Sequence, residues 1–170
     1  MSLGSLRLVL WVLIVAIAGG LGTYVMLREQ PAPRAEGGML KPMAGIGGPF
    51  ALLDQKRRPF SDKDLQGRPT AMFFGYTFCP DVCPTTLLEA TAWMRELGGD
   101  GDKLRVVFVS VDPDRDTPEK LDAYLASFDE RFIGLSGSRE ETDRIVKAFR
   151  VYARKVEGKG GDYTMDHTAS

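Results

Sequence analysis

The sequence predicts an α/β fold in which helices cover a parallel sheet. The first observation is a pair of apolar runs, Thr70–Tyr76 and Leu104–Val111, whose length and content of branched and aromatic residues are typical of buried strands. The second observation is a helical pattern after each run, over residues 84–97 and from Thr117 onward. Strands that alternate with helices form βαβ units, and such units produce a parallel sheet.

The composition of the 170 residues fits one globular domain with an appendage. Hydrophobic residues make up 44% of the chain and charged residues 26%, which is ordinary for a domain with an apolar core. The formal net charge of −1 gives no reason to expect nucleic acid as a partner. Two cysteines and one histidine exclude a disulfide-rich scaffold and a four-ligand structural zinc site of the usual kind.

Residues 1–28 are predicted to form an N-terminal membrane anchor. The 20 residues from Leu8 to Leu27 carry no charge, and a helix of that length covers about 30 Å of bilayer hydrocarbon. A cleaved signal peptide is the alternative because Ala16-Ile17-Ala18 resembles a cleavage site, but the apolar run continues for nine residues beyond it. We therefore expect an uncleaved single-pass helix, whose orientation the few flanking basic residues do not decide.

Residues 29–48 are predicted to be a flexible tether between the anchor and the domain. They contain three Pro and five Gly and show no hydrophobic periodicity. The domain is expected to occupy residues 49–170. Its first element is predicted to be a short edge strand at Phe50–Leu53.

Local signals predict where the helices of the domain begin and end. Gly98-Gly99 is a stop signal for the helix over residues 84–97. Thr117 and Pro118 have the residue types that favour the N-cap and the first helical position. Residues at helical spacing form the apolar faces of these two helices: Leu87, Ala90, Met94 and Leu97 in the first, and Leu121, Tyr124, Leu125 and Phe128 in the second.

One further strand and one further helix complete the predicted domain. Phe132–Leu135 is expected to add a strand to the sheet. Ser138 and Glu141 have the spacing of a capping box, in which each side chain bonds to the backbone of the other residue. They predict a helix that runs to about Phe149.

The only two cysteines, Cys79 and Cys83, lie where the first buried strand ends and the first helix begins. Sites in open α/β sheets form at such junctions. A helix N-terminus also stabilises the thiolate, which is the form that binds metals and attacks disulfides. Because the ring of Pro84 would clash with the Pro80 carbonyl in a regular helix, we expect an irregular turn over residues 79–83, with Pro84 as the first helical residue.

Buried structural thiols and a structural disulfide are the alternatives for the cysteine pair. The position of the pair at a strand-to-helix junction favours a functional site over both. The spacing differs from the C-x-x-C of thioredoxin oxidoreductases, which argues against a simple thioredoxin.

His167 is the only histidine and the third candidate ligand. A lone histidine near a chain end is usually a solvated side chain. Together with two thiolates, however, an imidazole suits copper as Cu(I) or Cu(II). A three-ligand site also releases its metal more readily than a closed four-ligand site. Zinc with water as a fourth ligand is compatible with the same residues.

Three segments resemble the signatures of the Sco/SenC family. Phe74–Pro84 is similar to the cysteine signature, 109–118 to the second signature and 162–168 to the histidine segment. The resemblance covers about residue 46 to the end of the chain. Within these segments Asp81 and Asp112 could tune the site electrostatically or contact a partner, but turn and helix-entry chemistry explains them better, so we expect structural roles.

The resemblance implies a thioredoxin-like fold in which Cys79, Cys83 and His167 bind copper. It also implies a metallochaperone without catalytic turnover that helps assemble the dinuclear copper centre of cytochrome c oxidase subunit II. Other copper chaperones and thioredoxin-like reductants are further expected partners. The family places this domain outside the inner membrane, so we expect a bacterial inner-membrane protein that faces the periplasm, with the mitochondrial inner membrane less favoured.

The C-terminal end departs from the family pattern. Family members continue past the histidine segment with a further strand and a helix, whereas this sequence stops at Ser170. We therefore interpret the sequence as a fragment or a prematurely ended record that lacks the C-terminal strand and helix of the fold. His167 is then expected to lie on a free end beside an unpaired sheet edge.

A thiol–disulfide reductase is the main alternative function. Cys79 and Cys83 would then be a redox-active pair that forms a disulfide and keeps the copper-ligating cysteines of the target reduced. A peroxidase of the peroxiredoxin type is disfavoured by the second cysteine only four residues away. A copper-dependent redox sensor is the fourth hypothesis.

Overall fold

The computed structural model describes residues 3–28, 45–158 and 161–168, and the chain divides into two compact units, residues 1–41 and 42–170. The first unit contains helix α1 (Leu3–Arg28). Among the residues whose placement is described, no helix combines the length and the apolar character that a membrane span requires. The anchor over residues 1–28 stays a prediction. Most of the predicted tether, residues 29–44, lies outside the described residues.

The second unit is an α/β domain, as the sequence predicts. Short 3₁₀ segments at Asp62–Leu65 and Gly98–Lys103 connect some of its elements. In chain order the strands and helices are β1 (Ala51–Asp54), β2 (Pro59–Ser61), β3 (Thr70–Gly75), α2 (Val82–Glu96), β4 (Arg105–Ser110), α3 (Pro118–Leu125), β5 (Ile133–Ser136), α4 (Arg139–Ala148), β6 (Ala153–Glu157) and β7 (Tyr163–His167).

Five strands form one sheet in the order β2-β1-β5-β4-β3. The predicted parallel pairing is confirmed for β3 with β4 and for β4 with β5, while β1 runs antiparallel to both of its neighbours. The predicted edge position of Phe50–Leu53 is wrong, because β2 folds back along β1 with Phe60 opposite Leu52 and takes the edge itself. An edge strand suits Pro59, which has no N–H to donate to a neighbour.

Both faces of β4 are buried, which explains the uninterrupted apolar run in this strand. Val107 and Val109 belong to a cluster with Ile145 of α4. Val106 and Phe108 belong to a second cluster that includes residues of α2 and α3. Central strands of parallel sheets are covered on both sides in this way.

The predicted helix signals are confirmed at α3 and α4. The Thr117 side chain accepts a hydrogen bond from the Lys120 N–H, and Pro118 is the first residue of α3. The capping box of Ser138 and Glu141 is present at the start of α4. Each cap satisfies backbone N–H groups that would otherwise lack a helical acceptor.

A separate two-stranded sheet, β6 with β7, carries His167. The strands are antiparallel, with Ala153 opposite His167 and Glu157 opposite Tyr163. Met165, in the middle of β7, is buried in the first core cluster. The expectation that His167 lies on a free end is therefore wrong, because the strand that carries it is hydrogen-bonded to β6 and packed on the core.

Candidate metal centre

The first turn of α2 carries Cys83. The helix begins at Val82, two residues before the predicted start at Pro84. The difference arises because the first N–H groups of a helix have no helical acceptor, so Pro84 loses no hydrogen bond there. Pro80, whose carbonyl the proline ring would meet, lies before the helix and need not adopt helical geometry.

Cys79 lies in the loop between β3 and α2, and several hydrogen bonds fix this loop. The Cys79 N–H donates to the Tyr76 carbonyl at 3.2 Å. Thr77 donates its N–H at 3.0 Å and its hydroxyl at 2.6 Å to the carboxylate of Asp116, which is 1% exposed. Asp116 also accepts a hydrogen bond from the Ser110 hydroxyl at the end of β4. The loop that carries Cys79 is therefore tied to the neighbouring strand.

Cys83 packs directly against the end of β3. At Gly75, an added Cβ would lie 2.6 Å from Cys83 Sγ and 2.8 Å from the ring of Phe108. Only a residue without a side chain leaves this space, so Gly75 allows the thiol to lie against the strand.

His167 completes the cluster from the other sheet. Its Nε2 lies 3.7 Å from Cys83 Sγ, and its ring meets the Tyr76 ring edge-on, with 5.6 Å between centroids. The ligand atoms of Cys79, Cys83 and His167 all lie within 4.8 Å of one another. Metal–ligand bonds of about 2.0–2.3 Å place two ligands of one ion at most about 4.6 Å apart, so small side-chain adjustments suffice to bring all three to one ion.

The two thiols differ in their electrostatic surroundings. Burial acts to raise the pKa of Cys79, but hydrogen bonds from backbone N–H groups at the start of α2, those of Asp81, Val82 and Cys83, outweigh it and the pKa is lowered. Burial is the main cause that raises the pKa of Cys83 to about 12, and the nearby Cys79 and Asp116 contribute to the same rise. Cys79 is half-buried whereas Cys83 is 4% exposed. Cys79 is thus the more nucleophilic and accessible thiol, and a metal that binds Cys83 must displace its proton.

This difference predicts unequal alkylation. In the reduced, metal-free chain near neutral pH, we expect iodoacetamide to modify Cys79 at least about tenfold faster than Cys83, because only thiolate reacts. Mass spectrometry of timed digests would give both rates. In the Cys79→Ser variant, the remaining thiol should stay slow, and equal rates for the two cysteines would contradict the assignment.

The two aspartates for which sequence reasoning favours structural roles both make structural contacts. The Asp81 carbonyl accepts from the Thr85 N–H at 3.3 Å at the start of α2. Asp112 is fully buried and forms an ion pair with Arg115. Sequence reasoning does not assign a role to Arg115 or Asp116, because the contacts that tie them to the site, with Tyr163 and Thr77 respectively, are distant along the chain.

The family described as SCO1/SenC matches residues 39–170. Among solved structures, the chain is similar to Bradyrhizobium japonicum ScoI with copper bound, at 55% identity and a TM-score of 0.71, covering 73% of this chain and 79% of that one. It is also similar to BsSco, a member of the Sco family of cytochrome c oxidase assembly proteins in which a disulfide switch was identified. That match has 25% identity and a TM-score of 0.55 and covers 64% of this chain and 67% of that one. These neighbours support the predicted thioredoxin-like fold.

One relative with a similar sequence is a plant protein. The chain is 39% identical over 126 residues to "Protein SCO1 homolog 1, mitochondrial" of Arabidopsis thaliana, which covers 74% of this chain. The chain spans only 38% of the length of that relative.

Proposed function

Because the chain belongs to the SCO1/SenC family, we propose that it is a copper metallochaperone whose ligands are Cys79, Cys83 and His167. The observation that carries the proposal is the convergence of these three ligand atoms within 4.8 Å. They come from a loop, a helix and a separate hairpin, and the fold brings His167 to the cysteine pair across 84 positions of the chain. The copper-bound state of the Bradyrhizobium japonicum relative supports copper as the metal.

The donor set suits transfer of copper better than permanent storage. Two sulfur ligands and an imidazole match the soft character of Cu(I), and they also bind Cu(II). Because the protein supplies only three ligands, the metal would keep an open position for an incoming ligand from a partner. Cys79 and His167 are half-buried whereas Cys83 is buried, so a partner's ligand would approach a bound ion from the side of Cys79 and His167.

We take the dinuclear copper centre of cytochrome c oxidase subunit II as the destination of the copper. The support is the family resemblance and the description of BsSco as a member of a family of oxidase assembly proteins. After the copper-loaded chain is mixed with the metal-free copper domain of subunit II and the two are separated, metal analysis should find the copper on the subunit II domain. A mixture in which copper stays on the chain would count against this destination.

We further propose that the domain works in the bacterial periplasm, tethered to the inner membrane by the N-terminal segment. The support is the charge-free run of 20 residues from Leu8 to Leu27. Fractionation of cells that produce the full chain should recover it with membranes, and protease added to spheroplasts should digest it. Recovery in the soluble cytoplasmic fraction would contradict the proposal.

A thiol–disulfide reductase is the second candidate, favoured by the contrast between the two thiols. The Cys79 thiolate would attack a disulfide of the target and release one target thiolate. Cys83, on losing its proton, would then attack the Cys79 sulfur, release the second target thiolate and leave a Cys79–Cys83 disulfide. Two electrons pass to the target, and a thioredoxin-like reductant would have to restore the two thiols.

Replacing His167 with Ala separates the two functions. We expect copper affinity to fall by more than about 100-fold, since loss of a ligand costs more than loss of an outer-shell partner. The rate of disulfide exchange should change little because neither sulfur is altered. The affinity is measured by competition with a Cu(I) chelator, and the exchange rate with a disulfide-bonded model peptide.

A nearby exposed residue offers a matched control for this variant. Tyr152 is 50% exposed and precedes the hairpin, so Tyr152→Ala should leave both activities unchanged. Equal loss of copper binding and exchange in His167→Ala would refute the separation. Unchanged copper affinity would exclude His167 as a ligand.

A further inference from the structure

Arg115 lies between the two segments that carry the proposed ligands. Its guanidinium carbon is 4.7 Å from the centroid of the Phe78 ring, and Phe78 directly precedes Cys79. The same carbon is 3.7 Å from the centroid of the Tyr163 ring, at the start of β7. Only 16% of the Arg115 side chain is exposed. One planar cation therefore contacts both the cysteine loop and the histidine hairpin.

Asp112 fixes the orientation of this guanidinium. Its carboxylate is 0% exposed and accepts from Arg115 Nε on one oxygen and from the Tyr163 hydroxyl, at 2.8 Å, on the other. Arg115 also donates through a terminal nitrogen to the Tyr163 carbonyl at 3.0 Å. Burial of the Asp112 charge is costly unless it is paired and hydrogen-bonded, and here both conditions are met. The side chains of Asp112, Arg115 and Tyr163 form one hydrogen-bonded cluster, which joins the segment after β4 to β7.

This cluster of Asp112, Arg115 and Tyr163 fixes the end of β7 that is opposite to His167. Tyr163 is the first residue of the strand and His167 is the last. Between them, Thr164 is hydrogen-bonded to the Tyr76 hydroxyl at 2.7 Å, and Met165 is buried in the core. Because a strand is stiff and its side chains alternate between its two faces, the position of Tyr163 contributes, with these two contacts, to where the imidazole lies.

We propose that Arg115 is a positioning residue for copper binding: held by Asp112, it docks the β6–β7 hairpin and thereby presents His167 to the two cysteines. A two-stranded hairpin is marginally stable by itself, so its placement depends on such docking contacts. The inference rests on the ligand set proposed above. It assigns Arg115 no contact with the metal.

The test is a cycle of variants in the full-length chain, with the Cu(I) dissociation constant as the readout. Arg115→Lys keeps the positive charge but removes the planar group that stacks on Tyr163 and donates to its carbonyl. We expect it to weaken copper binding by about 10- to 100-fold, as loss of an outer-shell partner does. In the His167→Ala background, the same substitution should weaken binding by less than about twofold, because there is then no imidazole to position.

Arg131→Lys is the matched control. Arg131 also pairs with two carboxylates, those of Asp129 and Asp102, and neither belongs to the proposed copper site. This variant should bind copper like the unaltered chain. A thermal melt of each variant separates loss of the hairpin contact from general unfolding. Should Arg115→Lys fail to fold, Tyr163→Phe, which loses only the hydroxyl bonded to Asp112, replaces it under the same criteria.

The outcomes are distinguishable. A loss of affinity by Arg115→Lys that disappears in the His167→Ala background supports the inference. Unchanged affinity, or an equal loss in both backgrounds, overturns it while leaving the ligand set intact. Full affinity of the His167→Ala chain itself would overturn both the ligand set and the inference, because Arg115 is proposed to act through His167.

Discussion

Replacing Cys79 and Cys83 together with serine is expected to abolish specific copper binding. A serine hydroxyl stays protonated and is a hard donor, whereas copper in a site of this kind is held by soft thiolates. The loss should exceed the roughly 100-fold that removal of an outer-shell partner costs. Equilibrium dialysis followed by metal analysis gives the bound copper per chain.

The single variants and a neighbouring control make this result interpretable. Cys83 is buried, so Cys83→Ser places a hydroxyl among apolar side chains and should lower the free energy of unfolding. Cys79 is half-buried, and Cys79→Ser should fold normally while losing copper. Thr85→Ser, in the first turn of the same helix, should keep full binding. Retention of one equivalent of copper by the double variant would contradict the proposed site.

Gly75→Ala is expected to damage both the site and the stability of the domain. The added Cβ would lie 2.6 Å from Cys83 Sγ and 2.8 Å from the Phe108 ring, and both neighbours are buried. Overpacking of this kind costs about 1–3 kcal/mol. The Cys83 sulfur must move to relieve the contact, so the copper dissociation constant should rise as well. Chemical denaturation and chelator competition measure the two effects.

Gly134→Ala separates the effect on the site from the effect on the core. An added Cβ there would lie 2.7 Å from a methyl group of Leu125 and 3.2 Å from Leu121, both on α3. The steric conflict is of similar size but does not involve a proposed ligand. Gly134→Ala should therefore lose stability and keep its copper affinity. If the two glycine variants bound copper equally well, the contact between Gly75 and Cys83 would not matter for binding.

Much of the central domain can be predicted from the sequence because local signals there agree with the fold. The apolar run of β4 is long and continuous because both faces of the strand are buried, and this is what periodicity detects. The caps at Thr117 and Ser138 act within a single turn, so their residue types suffice to predict them. These signals require no knowledge of distant contacts.

The elements that sequence reasoning misses depend on contacts distant along the chain. β2 has three residues and includes Pro59, so it has no periodicity to detect. β6 (Ala153–Glu157) carries three charged residues and becomes a strand by pairing with β7. Sequence reasoning therefore does not predict the hairpin, and it expects His167 on a free end.

In the candidate site, too, the residues with a local signal can be predicted and those that depend on distant contacts cannot. The cysteine pair stands out because it is unique in the sequence and lies at a strand-to-helix junction. The residues that orient the site do not stand out. Arg115 and Asp112 contact Tyr163 about fifty positions away, and nothing in the intervening sequence indicates that these side chains meet. Ordinary arginine and aspartate residues become parts of the site only through the fold.

X-ray absorption spectroscopy of the full-length chain loaded with one equivalent of Cu(I) tests the central claim most directly, because it identifies the atoms bound to the metal. With Cys79, Cys83 and His167 as ligands, the copper should be three-coordinate, with two sulfur neighbours and one nitrogen neighbour. The nitrogen contribution should disappear in His167→Ala, while the sulfur contribution remains. A first shell made only of sulfur, or one that contains nitrogen and oxygen without sulfur, would contradict the proposed copper site.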